Sequence, residues 1–503
     1  MDYIHNFIDG LATVASPYAL LAAMVGTLIG FIAGALPGMT ATAAIAIALP
    51  LTFGMDPIVG IIVLVSIYYA ASFGGAVPAI LVNTPGDNPA VITAFEGHKL
   101  TLQGRATSTM RAAFIASFAG GTLGLVLVVF SAPALAERAL NFGPPEYFLI
   151  MVLGVTSVLA VGGTSIIKGL ISVLLGAIVG LVGMNPLHGA MRLTFGQYQL
   201  MEGIPFVVVA LALFCVAVAV VNLDTRGERP LKPENSTSRH LWPDKTERGL
   251  MVPACLRGSA VGFVVGVLPG AGPTIASFLA YSVAKMSAPR DRAAVFGNGA
   301  IEGVAAAESA NNAACSGSLV PMLSLGIPGS AGTAVLLGAL LMFGLRPGPL
   351  LFTNHPDVAY GVLASVLIGT TFMLIVGLIL PPLLSHLLRI PSSVLFPAIL
   401  IVAVAGTYSI NNDIFPVYLL WILGIGGYLL TKVGVPAPPA ILTAVLTPLM
   451  ETNFMQSLTM SRGAISIFVT RPISLVLLIV CIGFIVLPPI LMRRRGSKSE
   501  QPI

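Results

Sequence analysis

The stretch GFIAGALPG at residues 30–38 recurs as GFVVGVLPG at residues 262–270, and this internal match organises the whole chain. Extended to residues 44 and 276, the two copies share eight of 15 positions, including Thr42 with Thr274. A second pair follows in the same order, GGAVPAILVNTPG at residues 74–86 and GSLVPMLSLGIPG at residues 317–329. Two ordered matches at nearly constant offset predict a duplicated chain.

Both copies lie in a very apolar sequence. Of 503 residues, 56% are hydrophobic and only 9% are charged, against about 25% charged residues in soluble domains. Apolar runs long enough to cross a bilayer as helices recur, for example at residues 112–130 and 361–380. We therefore predict an all-α polytopic membrane protein with roughly 10 to 14 segments, several of them too short or too interrupted to span alone.

One long polar stretch separates the two copies, and we interpret it as a solvated loop. The sequence thus predicts a first transmembrane repeat at residues 1–222, a polar inter-repeat loop at residues 223–250 and a second transmembrane repeat at residues 251–492. A basic tail follows at residues 493–503.

Positive charge is distributed differently in the corresponding loops of the two halves. After the first Pro-Gly pair, the second half has Lys285, Arg290 and Arg292, whereas residues 54–57 of the first half have no basic residue. After the second Pro-Gly pair the bias reverses. The first half has three basic residues between positions 99 and 111, whereas the second half has only Arg346. Because positive loops stay in the cytoplasm, we predict inverted repeats and a cytoplasmic C-terminus.

Each half contains two Pro-Gly pairs inside apolar sequence. Proline removes a backbone donor and glycine tolerates positive φ, so each pair predicts an interrupted or re-entrant helix. Unpaired backbone groups survive in a membrane only inside protein or beside a water-filled cavity. Matched breaks in two halves therefore indicate a binding site, where free helix N-termini suit a carboxylate. The four pairs are Pro37 with Gly38, Pro85 with Gly86, Pro269 with Gly270, and Pro328 with Gly329.

Hydroxyl and amide side chains cluster beside these breaks. They could bind a carboxylate or help to coordinate a cation, although serine and threonine in apolar helices often bond only their own backbone. Besides the Pro-Gly pairs, the predicted substrate-binding residues are Thr40, Thr42, Ser72, Asn83, Thr84, Thr274, Asn311, Asn312 and Ser324.

Three acids lie in or next to this apolar sequence. Ionisable groups within a membrane are costly and usually functional, so we predict that Asp87, Glu302 and Glu308 couple transport to Na⁺ or H⁺. Sodium could also bind near the Pro-Gly breaks. The alternative for these carboxylates is a position at the water interface.

Several of these motifs resemble the large membrane subunit of tripartite tricarboxylate transporters, the TctA type. They are GALPGMTAT at residues 34–42, YYAASFGG at 68–75, NTPGD at 83–87, GNGAIEGVAAAESANN at 297–312 and SLGIPG at 324–329. The resemblance extends over about residues 15–490. It implies a secondary carrier for citrate or related carboxylates in the bacterial inner membrane. It also implies two partners, a periplasmic solute-binding protein and a small four-helix membrane subunit.

Other classes of function have little support in the sequence. A nucleotide-driven pump would need Gly-x4-Gly-Lys-Ser/Thr, and a zinc enzyme would need a motif such as His-Glu-x2-His; the sequence has neither. The six histidines and four cysteines are scattered, and no basic, aromatic-interleaved patch suggests nucleic acid. We therefore predict no enzymatic activity and no cofactor. A stand-alone carboxylate carrier without a binding protein stays open.

Overall fold

The computed structural model describes residues 2–36, 38–161, 165–185, 189–224, 241–270, 272–379 and 392–496. The structure is 80% helical, which confirms the predicted all-α polytopic fold. The described strands are β1 (Gly183–Met184) and β2 (Met191–Arg192), which pair antiparallel with Gly183 opposite Arg192. Pro37, much of the predicted inter-repeat loop (residues 225–240) and the end of the basic tail (residues 497–503) lie outside the described residues.

The first half consists of eleven described helices and four short helical segments of other geometry. The 3₁₀ segments are Leu49–Thr52, Asn88–Ala90 and Tyr198–Leu200, and a π-helical segment, Ala212–Val216, joins the last two α-helices. The α-helices are α1 (Asp2–Val14), α2 (Pro17–Ala35), α3 (Ala41–Ala48), α4 (Pro57–Gly74), α5 (Ala76–Val82), α6 (Val91–Leu102), α7 (Ala106–Ala139), α8 (Pro144–Val161), α9 (Ile166–Gly180), α10 (Phe206–Leu211) and α11 (Ala217–Asp224).

The second half begins with α12 (Lys245–Val267), which starts within the segment predicted as a loop because Asp244 and Glu247 form a capping box. The other described helices are α13 (Gly272–Ser287), α14 (Arg290–Ala293), α15 (Ile301–Leu325), α16 (Ala331–Met342), α17 (Leu351–Asn354), α18 (Pro356–Ile379), α19 (Ser392–Asn411), α20 (Phe415–Lys432), α21 (Ala437–Met460), α22 (Ile467–Thr470) and α23 (Pro472–Gly496).

Seven helical stretches in the described residues are long and apolar enough to cross a membrane, so the chain is a multi-pass membrane protein. They are Pro17–Ala35, Pro57–Val82, Ala106–Ala139, Phe206–Asp224, Lys245–Val267, Pro356–Ile379 and Phe415–Lys432. Five shorter apolar helices accompany them, among them Ala41–Thr52 and Ala331–Met342 beside the Pro-Gly breaks. Interrupted segments of this kind are expected where backbone lines a cavity.

Glycines allow α2 to pack directly on α4. Gly26, Gly30 and Gly34 lie one turn apart and face backbone carbonyls of α4. A Cβ atom on Gly34 would lie only 2.1 Å from the Ala71 carbonyl oxygen. Small residues at such spacing let membrane helices approach closely.

The second half repeats this arrangement between α12 and α15. A Cβ atom on Gly262 would lie 2.3 Å from the Ala310 oxygen, and one on Gly266 would lie 2.4 Å from the Ala314 oxygen. These two glycines align with Gly30 and Gly34 in the sequence match. The aligned glycines thus make the same kind of helix contact in both halves.

Helices α4 and α15 meet in the centre of the described structure. Every residue of α15 from Ile301 to Ser324 is buried. Tyr68 lies against Ser318, whereas Ser72, one turn later on α4, contacts Asn311. The corresponding helices of the two halves therefore run antiparallel to each other.

Candidate functional site

A cavity of about 410 Å³ lies between the two halves. Its walls come from the Pro-Gly breaks of both halves and from the first turn of α21. The lining residues are Thr40, Ala41, Thr42, Tyr68, Ser72, Asp87, Asn88, Pro89, Phe214, Gly270, Gly272, Pro273, Thr274, Ile275, Ser330, Ala331, Gly332, Pro438, Pro439 and Leu442.

Three helices begin at the wall of this cavity, α3 at Ala41, α13 at Gly272 and α16 at Ala331. The first N–H groups of a helix have no acceptor within the helix, and the helix dipole places about half a positive charge there. Side chains satisfy some of these groups, since Thr40 Oγ1 accepts from the Ala43 N–H at 3.1 Å. The remaining N–H groups make this wall favourable to an anion.

The cavity combines these positive helix ends with one carboxylate and no lysine, arginine or histidine among its described lining residues. The carboxylate is Asp87, which accepts from the N–H of Ala41 at 3.3 Å and of Asn88 at 2.8 Å. Asp87 therefore already occupies part of the N-terminus of α3. An anionic ligand would bind to backbone N–H groups and hydroxyls.

Tyr68 joins the two halves across the cavity wall. Its hydroxyl lies 3.0 Å from Ser330 Oγ, and Ser330 in turn caps α16 through a capping box with Thr333. The Tyr68 ring packs so closely on Gly332 that a Cβ atom there would lie 2.3 Å from it. This contact fixes the start of α16 against α4.

A backbone hydrogen bond joins the two Pro-Gly breaks of the second half. The Gly270 N–H donates to the Gly329 carbonyl oxygen at 2.9 Å. In the first half, the Gly86 N–H donates to Gly75 at 3.2 Å, and a Cβ atom on Gly86 would lie 2.5 Å from the Gly34 oxygen. Only glycine fits at Gly86, because the backbones of two segments touch there.

The cavity brings together a subset of the predicted site residues, with Thr40, Thr42, Ser72, Asp87, Gly270 and Thr274 among its lining. Asn83 has a left-handed φ of 55° and an exposed side chain, so the turn directs it away. Ser324 is buried and donates to the Val320 carbonyl oxygen of its own helix. The predicted residues outside the described lining are Gly38, Asn83, Thr84, Pro85, Gly86, Pro269, Asn311, Asn312, Ser324, Pro328 and Gly329, whereas Pro37 lies outside the described residues.

The two acids of α15 have different environments. Glu302, in the first turn, forms an ion pair with Arg292 at 2.7 Å. Glu308 is fully buried and accepts hydrogen bonds from Thr93 Oγ1 and, at 3.0 Å, from Ser117 Oγ. The chain thus balances the charge of Glu302 with a cation, whereas neutral groups, the hydroxyls of Thr93 and Ser117 and the side chain of Asn311, contact the Glu308 carboxylate in the described structure.

Sequence reasoning missed two residues, Ser330 at the cavity and Glu96 at the start of α15. Ser330 follows Gly329 directly, just as Asp87 follows Gly86, so the repeat could have identified it. Glu96 accepts hydrogen bonds from the N–H groups of Gly297, Gly299 and Ala300 at the start of α15. No local sequence signal predicts these hydrogen bonds, because all the backbone donors to Glu96 lie about 200 positions further along the chain.

Comparison with known proteins identifies relatives over almost the whole chain. The family model described as the tripartite tricarboxylate transporter TctA family matches residues 20–442. An uncharacterized 52.8 kDa protein in the TAR-I ttuC′ 3′ region of Agrobacterium vitis is 39% identical over 497 residues, covering 98% of each chain. A second uncharacterized protein, in the TAR-II ttuC′ 3′ region of the same organism, is 44% identical over 236 residues, which are 46% of this chain and 97% of the relative. No solved structure matches the chain.

Proposed function

Because the chain belongs to the tripartite tricarboxylate transporter TctA family, we propose that it is the large permease subunit of a binding-protein-dependent secondary transporter. It imports tricarboxylates or related organic acids across the bacterial inner membrane and is driven by a cation gradient. Its partners are a periplasmic solute-binding protein and a small four-helix membrane subunit.

The observation that carries the proposal is the cavity between the halves. Three helix N-termini face it, and each contributes about half a positive charge. Together they exceed the single negative charge of Asp87, so the wall attracts an anion without a cationic side chain. The hydroxyls of Thr42, Ser72, Thr274 and Ser330 add donors that can orient carboxylate oxygens.

Transport also requires that the cavity open to each side of the membrane in turn. Interrupted helices at matched positions of two repeats are the usual basis for such alternating access. The repeated glycine contacts of α2 on α4 and of α12 on α15 support a duplicated chain. The antiparallel α4 and α15 support an inverted arrangement of its halves.

Cation coupling is assigned to the acids Asp87 and Glu308. Asp87 lines the substrate cavity, and Glu308 is a buried carboxylate without a described cationic partner. Both would repel an entering carboxylate unless a cation compensated their charge. Glu302, which was predicted with them, already has Arg292 as its counter-ion.

Reconstitution tests the transport function and its dependence on a binding protein. Liposomes that contain this chain and the small membrane subunit, with an imposed Na⁺ or H⁺ gradient, should accumulate labelled citrate or a related carboxylate only when the periplasmic protein is present. The physical reason is that the receptor concentrates scarce substrate at the mouth of the cavity. Liposomes with a collapsed gradient serve as the control.

The same assay decides between the tripartite system and a stand-alone carrier. Rapid, saturable uptake without a binding protein, unchanged when that protein is added, would favour the stand-alone carrier. Absence of gradient-driven carboxylate uptake with all three components would refute the transport proposal itself.

The inverted arrangement predicts which loops face the cytoplasm. Met55 is an exposed residue in the loop before α4, and Met286 is an exposed residue in the last turn of α13, next to the corresponding loop of the second half. We expect the loop of Met55 to be periplasmic and the end of α13 to be cytoplasmic with the C-terminus. In intact cells, an impermeant thiol reagent should label Met55→Cys but not Met286→Cys, whereas lysed cells should show both. The four native cysteines are buried, so the unsubstituted chain is the background control. Equal labelling of both variants in intact cells would contradict the inversion.

A further inference from the structure

A second polar cluster lies on one face of α15, outside the lining of the substrate cavity. Glu308, Asn311 and Asn312 stand three and four positions apart, so their side chains project from adjacent points of the helix. Each is at most 1% exposed. Thr93 of α6 and Ser117 of α7 cover the Glu308 carboxylate.

The carboxylate of this cluster has no counter-ion in the part of the chain that the structure describes. Its hydrogen bonds come from the Thr93 and Ser117 hydroxyls and the Asn311 side chain, and none of the described ion pairs includes it. A buried charge without a partner is costly. Either a bound cation or a proton would compensate this charge.

The two neighbouring amides also lack partners on their oxygen side. Asn311 Oδ1 and Asn312 Oδ1 are buried and have no hydrogen-bond partner among the described residues. Their nitrogens are oriented by the Ser72 carbonyl oxygen, at 3.0 Å from Asn311 Nδ2, and more weakly by the Glu308 carbonyl oxygen, at 3.5 Å from Asn312 Nδ2. An unpartnered buried oxygen of this kind calls for a bound water or ion.

We propose that these groups form the site of the coupling ion, and that the ion is Na⁺. Its ligands are the Glu308 carboxylate and the amide oxygens of Asn311 and Asn312, with the hydroxyl oxygens of Thr93 and Ser117 beside them. An oxygen-only ligand set suits a hard cation, and one carboxylate balances one positive charge. The inference rests on the proposed secondary transport and assigns Asn311 and Asn312, predicted as substrate ligands, to the cation.

The structure also shows how this site communicates with the substrate cavity. Ser72 lies in the last turn of α4, and its carbonyl oxygen receives the Asn311 amide. Ser72 is itself part of the cavity lining. Sodium that orders Asn311 would thereby hold Ser72 in place for the carboxylate, and by linkage each ligand would tighten binding of the other.

Sodium binding to the purified full-length chain in detergent tests the inference. Wild type should bind ²²Na⁺ saturably, and NaCl should raise its thermal unfolding midpoint relative to equal choline chloride, because a ligand of the folded state stabilises it. Glu308→Gln keeps the shape of the side chain but removes its charge, so Na⁺ affinity should fall about tenfold or more.

Glu302→Gln is the matched control, since it makes the same change on the same helix at a carboxylate paired with Arg292. It should bind Na⁺ as wild type does. If Glu308→Gln yields no folded protein, Ser117→Ala and Asn312→Ala provide the comparison, each with a several-fold loss of affinity. The inference is overturned if wild type binds no Na⁺, or if the cluster variants bind it unchanged, or if Glu302→Gln loses as much affinity. These experiments measure sodium binding and not transport. Failure of the sodium site can therefore be distinguished from failure of carboxylate uptake in the liposome assay.

Discussion

Thr274→Trp should abolish carboxylate uptake while the protein remains folded in the membrane. Thr274 lines the cavity at the start of α13, opposite the first-half residues Thr42 and Ser72. An indole at this position would fill the space where an anion meets the helix N-termini. We expect uptake to fall about a hundredfold or more, which corresponds to a loss of about 2.7 kcal/mol of binding free energy.

Uptake of a labelled carboxylate by cells, at matched abundance of the protein in the membrane, measures this effect. Citrate is the first substrate to try. Thr353→Trp provides the control, because it makes the same substitution at an exposed threonine away from the cavity. Thr274→Val removes the hydroxyl but keeps the size of the side chain, so it measures the contribution of the hydroxyl alone. It should lower uptake less than Thr274→Trp does. Wild-type uptake by Thr274→Trp would show that the cavity is not on the substrate path.

Glu96→Gln should strongly destabilise the protein although it changes one atom. The Glu96 side chain is fully buried and accepts from four donors, the N–H groups of Gly297, Gly299 and Ala300 and the Tyr281 hydroxyl. A glutamine would replace one acceptor oxygen with an NH₂ group that faces donors. Leaving two donors unpaired should cost about 3 kcal/mol or more in the free energy of unfolding.

The thermal unfolding midpoint and the abundance of the purified chain report this loss. Glu137→Gln, at an exposed position near the end of α7, should leave both almost unchanged. If Glu96→Gln unfolds at the wild-type temperature, the carboxylate is not what holds the start of α15 against α6.

The positions of the helix breaks could be predicted because proline and glycine act on their own backbone. Structure confirms an all-α membrane fold, and α2 and α12 end at Ala35 and Val267, just before their Pro-Gly pairs. The number of membrane segments depends on tertiary structure, since short helices such as α3 and α16 do not span alone. The repeat boundaries stay a prediction, and so does the inversion, which the labelling of Met55→Cys and Met286→Cys tests.

The content of the cavity was predictable only in part. Thr42 and Thr274 follow the first Pro-Gly pair of each half, so the repeat predicted that both belong to the site, and both line the cavity. Asn83 has equally suitable chemistry and lies close to Pro85, yet the left-handed turn exposes it. Residue type and proximity in sequence do not specify the direction of a side chain within a turn.

The sequence by itself determined the membrane environment, the helical class and the places where helices break. Each of these depends on local properties, either the hydrophobicity of about 20 consecutive residues or the backbone limits of proline and glycine. Only the tertiary structure decided which polar groups share a cavity and which belong to the cluster around Glu308. Asn311 meets Ser72 across 239 positions of sequence, and Glu96 meets Gly297 across 201. Such partners are selected by the packing of distant helices, because a buried polar group is stabilised by whatever donor or acceptor the fold brings within reach.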